Sequence, residues 1–233
     1  LPAKATRVYM YAVVALTNAT LQNCTTPNLG GGIYNEGTLT ILNSTLAANT
    51  ANEGGGIFNL GTLTIENSTL SGNTAAYWGG AIFTQGTLSL LNSTLAANAI
   101  SGTDPTAHGG AAIDQFGAGA STTLTNTTIA NNTAPAAEKS GLWLENGTLT
   151  AYNVLLAGNG TGNCLLSGGT FNVGPDSLST DATCTGATVN STAGLGALTG
   201  SPAYYPLNYN SPAVDLGAAE HCPPADQPGN TRP

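Results

Sequence analysis

Residues 30–53, GGGIYNEGTLTILNSTLAANTANE, are followed at once by GGGIFNLGTLTIENSTLSGNTAAYW and then, from Gly79, by GGAIFTQGTLSLLNSTLAANA. Consecutive near-copies restrict a fold more than composition does, because each copy must offer its successor the surface it receives from its predecessor. The Asn of LNST anchors the alignment and recurs as Asn18, Asn43, Asn67, Asn92, Asn126 and Asn153. Three residues later stand Leu21, Leu46, Leu70, Leu95, Ile129 and Leu156; two earlier stand Leu16, Ile41, Ile65, Leu90, Leu124 and Ala151. Four earlier, Val14, Leu39, Leu63, Leu88 and Leu149 are interrupted only by Thr122. Six residues after the anchor runs a second column, Asn49, Asn73, Asn98, Asn132 and Asn159, with Cys24 in the first copy.

Within a copy the apolar period is two, as in Thr38-Leu39-Thr40-Ile41, which specifies strand and not helix. Glycine runs punctuate the strands as turns. Anchors are 24 or 25 residues apart at first, then 34 and 27 as ISGTDPTAH and APAAEKS enter. Three short strands and three turns per copy predict an all-β, right-handed parallel β-helix with coils of about 24–25 residues. Identical residues then stack at about 4.8 Å per coil. Both asparagine columns are expected to become side-chain ladders that satisfy turn backbone groups, the anchor column Asn18, Asn43, Asn67, Asn92, Asn126 and Asn153 foremost. One domain, 1–233, follows: a first coil at 8–29, repeat coils at 30–162, and irregular C-terminal coils and tail at 163–233. Leucine-rich repeats share the period but require L-x-x-L-x-L-x-x-N, which is absent.

Charged residues are only 7% of the chain, and a net charge of −8 leaves four bases, Lys4, Arg7, Lys139 and Arg232. Nucleic acid needs clustered bases and is excluded as a partner; anionic membranes are disfavoured for the same reason. The longest apolar run, Val8 to Leu16, is too short to span a bilayer, and it falls in register as the first coil. The chain opens at Leu1 without a methionine, which reads as processed and mature. Four cysteines without CxxC or a histidine pair do not suit zinc. Two disulfides suit them better and imply an extracellular or cell-surface protein. Cys164 and Cys184 flank a Gly-rich turn and are expected to pair; Cys24 and Cys222 remain for each other, within one chain or between subunits.

GGGIYNEGTLTILNSTLAANTA resembles the right-handed parallel β-helix repeats of bacterial surface and secreted proteins, including those related to chlamydial polymorphic outer-membrane proteins. The C-terminal stretch NCLLSGG…SPAVDLGAAEHCPPADQPGNTRP resembles the choice-of-anchor β-helix proteins. These resemblances imply the fold and a surface or secreted setting. The chain departs from the second group by stopping at Pro233, short of its usual last strand.

Parallel β-helices include polysaccharide lyases and hydrolases, whose chemistry needs an acidic Ca²⁺ cluster with a base, or paired carboxylates. The six aspartates are scattered, and Asp104, His108 and Asp114 form the single local group, which reads as a polar loop. Glu36, Glu53 and Glu66 fall in different columns. No catalytic residue, metal ligand or cofactor is therefore assigned. Outward Thr38/Thr40, Thr62/Thr64, Thr87/Ser89, Ser121/Thr123 and Thr148/Thr150 match the T-x-T pattern of ice-binding solenoids. Threonine is equally a good exposed strand former, and the third column is mixed. Of the many N-x-S/T sequons, Asn146, Asn159 and Asn190 read as the accessible ones. Seven residues before the first coil and the missing last strand leave both ends uncapped, and unlike open ends stack head to tail. The function expected is an extracellular structural solenoid that joins copies of itself into a filament. Its rival is a monomeric cell-surface adhesin or polysaccharide-binding β-helix.

Overall fold

The computed structural model describes residues 8–102, 109–135 and 141–231. It is a β-solenoid of parallel strands. One coil runs Ile33–Asn35, Thr38–Leu42, Thr45–Ala47 and Thr50–Glu53, and returns to Ile57. Stacked counterparts form a seven-stranded first sheet from Val8–Met10 to Cys164–Leu166. A seven-stranded second sheet runs from Val13–Thr17 to Thr170–Val173, and an eight-stranded third from Thr20–Gln22 to Thr188–Val189. In the second sheet register follows the repeat without slippage: Val14, Leu39, Leu63, Leu88, Thr122, Leu149 and Phe171 face one another in turn.

Alternation along each strand sends every second side chain inward, and the inward apolar set fuses into one core. Leu39, Ile41, Leu46, Leu63, Ile65 and Leu70 are wholly buried. Thr122, the exception in its column, keeps the inward position, buried, with its hydroxyl unbonded.

Corners turn on residues at positive φ. All six anchor asparagines are left-handed, at φ 47–53°. Asparagine tolerates that region far better than other residues with a Cβ. The consensus N-S-T therefore divides its labour. Asn sets the backbone turn, and the buried Ser beside it does the hydrogen bonding. The Ser44 hydroxyl donates to Leu42 O (2.8 Å) and accepts from Ala19 N of the preceding coil (3.0 Å); Ser44 N donates to Ser68 Oγ at 3.0 Å.

The side-chain ladder itself runs through the second column. Asn49, Asn73, Asn98 and Asn132 are wholly buried and Asn159 nearly so. Each amide donates to the next: Asn49 to Asn73 (2.9 Å), Asn73 to Asn98 (3.0 Å), Asn98 to Asn132 (2.9 Å) and Asn132 to Asn159 (2.8 Å). Each carbonyl oxygen also accepts the backbone N–H of the residue below. The ladder expected at Asn18, Asn43, Asn67, Asn92, Asn126 and Asn153 is thus a stack of backbone corners; among these six, Asn153 donating to Asn126 at 3.1 Å is the one amide–amide bond. A left-handed corner points the side chain off the core, whereas the second-column residues sit where a backbone carbonyl and a backbone N–H both need partners. Asn35, Asn59 and Thr84 make a further buried ladder (2.7 and 3.0 Å).

The far end is closed over its core, against the expectation of two uncapped ends, although its last strands still end their sheets. Register steps in the third sheet fall from 23 residues (Leu155 to Leu178) to 10 (Leu178 to Thr188). So short a coil cannot encircle the core and lies across it. Cys184, wholly buried in the core cluster, is bonded there to Cys164 as the sequence suggested. At the other end, Val8, Val14, Leu16 and Leu21 are only partly buried, although their counterparts in the next coil are fully so.

Candidate functional site

After Val189 the chain leaves the coil and folds back along the corner of the anchor asparagines, as three lengthwise passes. The first descends to the hairpin Thr199–Gly200 with Ala203–Tyr204, where Thr69 Oγ1 donates to Ala203 O. A second climbs back, with Asn131 Nδ2 donating to the Tyr205 hydroxyl (2.9 Å) and Ala218 N donating to Asn153 Oδ1 (2.7 Å). The third descends again: Asn126 Nδ2 reaches His221 O and Asn92 Nδ2 reaches Ala225 O (both 2.9 Å). Gln227 closes it, accepting from Thr94 Oγ1 (2.7 Å) and donating to Ala203 O (3.0 Å). The anchor amides are therefore the docking points of the tail.

Between the passes lies a groove of about 750 Å³, lined by Asn92, Thr94, Asn126, Tyr204, Tyr205, Asp215, Asp226 and neighbours. A smaller one of about 570 Å³ continues along Asn18, Asn43 and Asn67 and shares Tyr204 and Gln227. Asn67 Oδ1 and Asn92 Oδ1 are buried without hydrogen-bond partners. Asp215 is held at φ 57°. No lysine, arginine or histidine lines either groove among the described residues.

Cys24 and Cys222 are not bonded to each other. Cys24 occupies the ladder position of the first coil, where its N–H donates to Asn49 Oδ1. Cys222 lies by Asn153, five anchors along and roughly 24 Å away at about 4.8 Å per coil. The tail runs back along the solenoid, but it brings Cys222 only to the sixth anchor. Burial pushes the Cys24 thiol above its ordinary pKa.

Of the Asp104–His108–Asp114 group, the first two lie outside the described residues, as do Lys4, Arg7, Lys139 and Arg232. Asp114 stands in the outward column of the first sheet, in register with Phe83 and Trp143, and is wholly buried. Desolvation, and then the charges of Glu145 and Glu53, hold its carboxyl well above the usual range. Glu53 is raised by burial as well, whereas exposed Glu36 accepts the Tyr34 hydroxyl at 2.6 Å. That column also carries an aromatic stack that the sequence reading missed. Tyr34 and Phe58 lie 5.5 Å apart at 3°, and Phe58 and Phe83 4.9 Å apart. Its signal was the second residue of IYN, IFN and IFT. The Thr/Ser pairs of the second sheet form two in-register outward columns, with Glu66 beside them. Of the sequons thought accessible, Asn146 is exposed, Asn190 is partly buried, and Asn159 belongs to the buried ladder.

No family model, curated protein or solved structure matches the chain.

Proposed function

We propose that the chain is an extracellular structural β-solenoid, a scaffold rather than a catalyst, whose copies stack end to end into a surface rod. The observation that carries this reading is the half-buried core face of the first described coil. Val8, Val14, Leu16 and Leu21 present a core cross-section, framed by the edge strands Val8–Met10, Val13–Thr17 and Thr20–Gln22. Parallel edges with no partner strand among the described residues, set around an apolar centre, favour another layer of coil. The far end offers a complement in Thr170–Val173 and Thr188–Val189, which end their sheets, with Leu166 and Val189 exposed beside them. Joining two unlike ends is heterologous and does not close on itself. The Cys164–Cys184 bond supports an oxidising setting, and the surface β-helix repeats that the sequence resembles agree with it.

Light scattering across a concentration series tests the reading. Mass per particle should climb with concentration, and Val14→Asp, which charges that face, should hold the protein monomeric, with far-UV circular dichroism checking that the variant stays folded. A monomer of constant mass at every concentration refutes end-to-end assembly.

A further inference from the structure

We propose that the groove between the tail passes binds a neutral oligosaccharide segment. It runs along the side of the solenoid and not across the core face at either end, so it does not rest on end-to-end assembly. A pyranose presents an apolar C–H face ringed by hydroxyls, and sites for it combine an aromatic platform with closely set planar acceptors and donors. Half-buried Tyr204 and Tyr205 supply the platform. Asp215 supplies a carboxylate acceptor, beside Asp226, whose oxygens already accept from Asn230, and Thr94, whose hydroxyl already donates to Gln227.

Asn92 adds an observation that points to a ligand. It lines the groove at only 5% exposure; its Nδ2 is engaged by Ala225 O, yet its Oδ1 has no partner. A buried carbonyl left unsatisfied is costly, and a small rotation of the side chain would turn its oxygen from its buried position toward a sugar hydroxyl in the groove. Asn67 Oδ1, one coil below in the adjoining groove, is in the same state. The two unsatisfied oxygens repeat along the axis at about 4.8 Å, close to the length of one pyranose unit in an extended glycan. The carboxylates, with no base lining either groove among the described residues, select neutral sugars over uronates and sulfated or phosphorylated ones.

Calorimetric titration of the full chain with cellohexaose, mannohexaose, maltohexaose and an oligogalacturonate tests this directly. At least one neutral hexasaccharide should bind with a Kd at or below the millimolar range. Asp215→Asn, which preserves shape, should weaken it by about tenfold through loss of a charged hydrogen bond. Tyr205→Ala should weaken it comparably, and Thr64→Ala on the second sheet should leave it unchanged. Three results overturn the proposal: no neutral oligosaccharide binds; the oligogalacturonate binds best; or binding survives both groove substitutions.

Discussion

Replacing Asn73 with alanine separates the ladder from the corner. The Asn73 amide donates to Leu46 O (3.0 Å) and Asn98 Oδ1 (3.0 Å), and its oxygen accepts from Asn49 N (3.0 Å) and Asn49 Nδ2 (2.9 Å). Asn98 Oδ1 retains the backbone N–H of residue 73, so it is not orphaned. Three buried groups lose a partner: Leu46 O, the Asn49 N–H and one Asn49 amide hydrogen. At about 1–3 kcal/mol per unsatisfied group, with partial relaxation, the cost should be about 4 kcal/mol. Asn67→Ala makes the comparison. Its Oδ1 has no partner, and what alanine loses there is tolerance of φ 48°, about 1 kcal/mol. Asn67→Gly should then be close to neutral. Urea unfolding followed by far-UV circular dichroism measures all three. Equal losses at Asn73 and Asn67, or a larger loss at Asn67, would refute the division between corner and ladder.

Leu63→Ala should cost about 2–5 kcal/mol by opening a cavity in a fully buried column, while outward Thr64→Ala stays within about 1 kcal/mol; urea midpoints read both. Opening the Cys164–Cys184 bond with Cys164→Ser should cost about 3 kcal/mol, as expected for a loop of this length, and hydrogen exchange should rise first across residues 174–189. Alkylation of the native protein should modify exposed Cys222 and spare Cys24, whose burial disfavours the thiolate; mass spectrometry of the digest identifies the modified site. The raised carboxyl of Asp114 makes the folded state bind the proton more tightly than the unfolded chain does. Its contribution is fully present below the unfolded carboxylate pKa of about 3.9 and is lost as pH rises to the folded value. Asp114→Asn should flatten that decline in a series of melting temperatures, and an unchanged slope would assign it to other groups.

The coil was legible because the repeat writes core and surface positions in fixed columns. Val14, Leu39 and Leu63 fall in register from the anchor alone, and even Thr122 keeps its place. Which asparagine column makes the ladder was not legible. Both columns repeat equally well in sequence, and only the sign of φ at Asn43 and the burial of Asn49 tell them apart. Residues 190–231 have no period, so the path of the tail over Asn92, Asn126 and Asn153 could not be derived, and the groove went with it. The closing coil escaped for a related reason: the contraction between Leu178 and Thr188 is set by Cys184 and Gly186 meeting the last full coil, contacts without a repeated counterpart.

Electron cryomicroscopy of the concentrated protein tests end-to-end assembly most directly. Stacking through the first described coil predicts rods in which the strand spacing of about 4.8 Å continues through the junction, with Val13–Thr17 of one copy against Thr170–Val173 of the next. Isolated particles one solenoid long, or rods joined side by side through the threonine face, would contradict it.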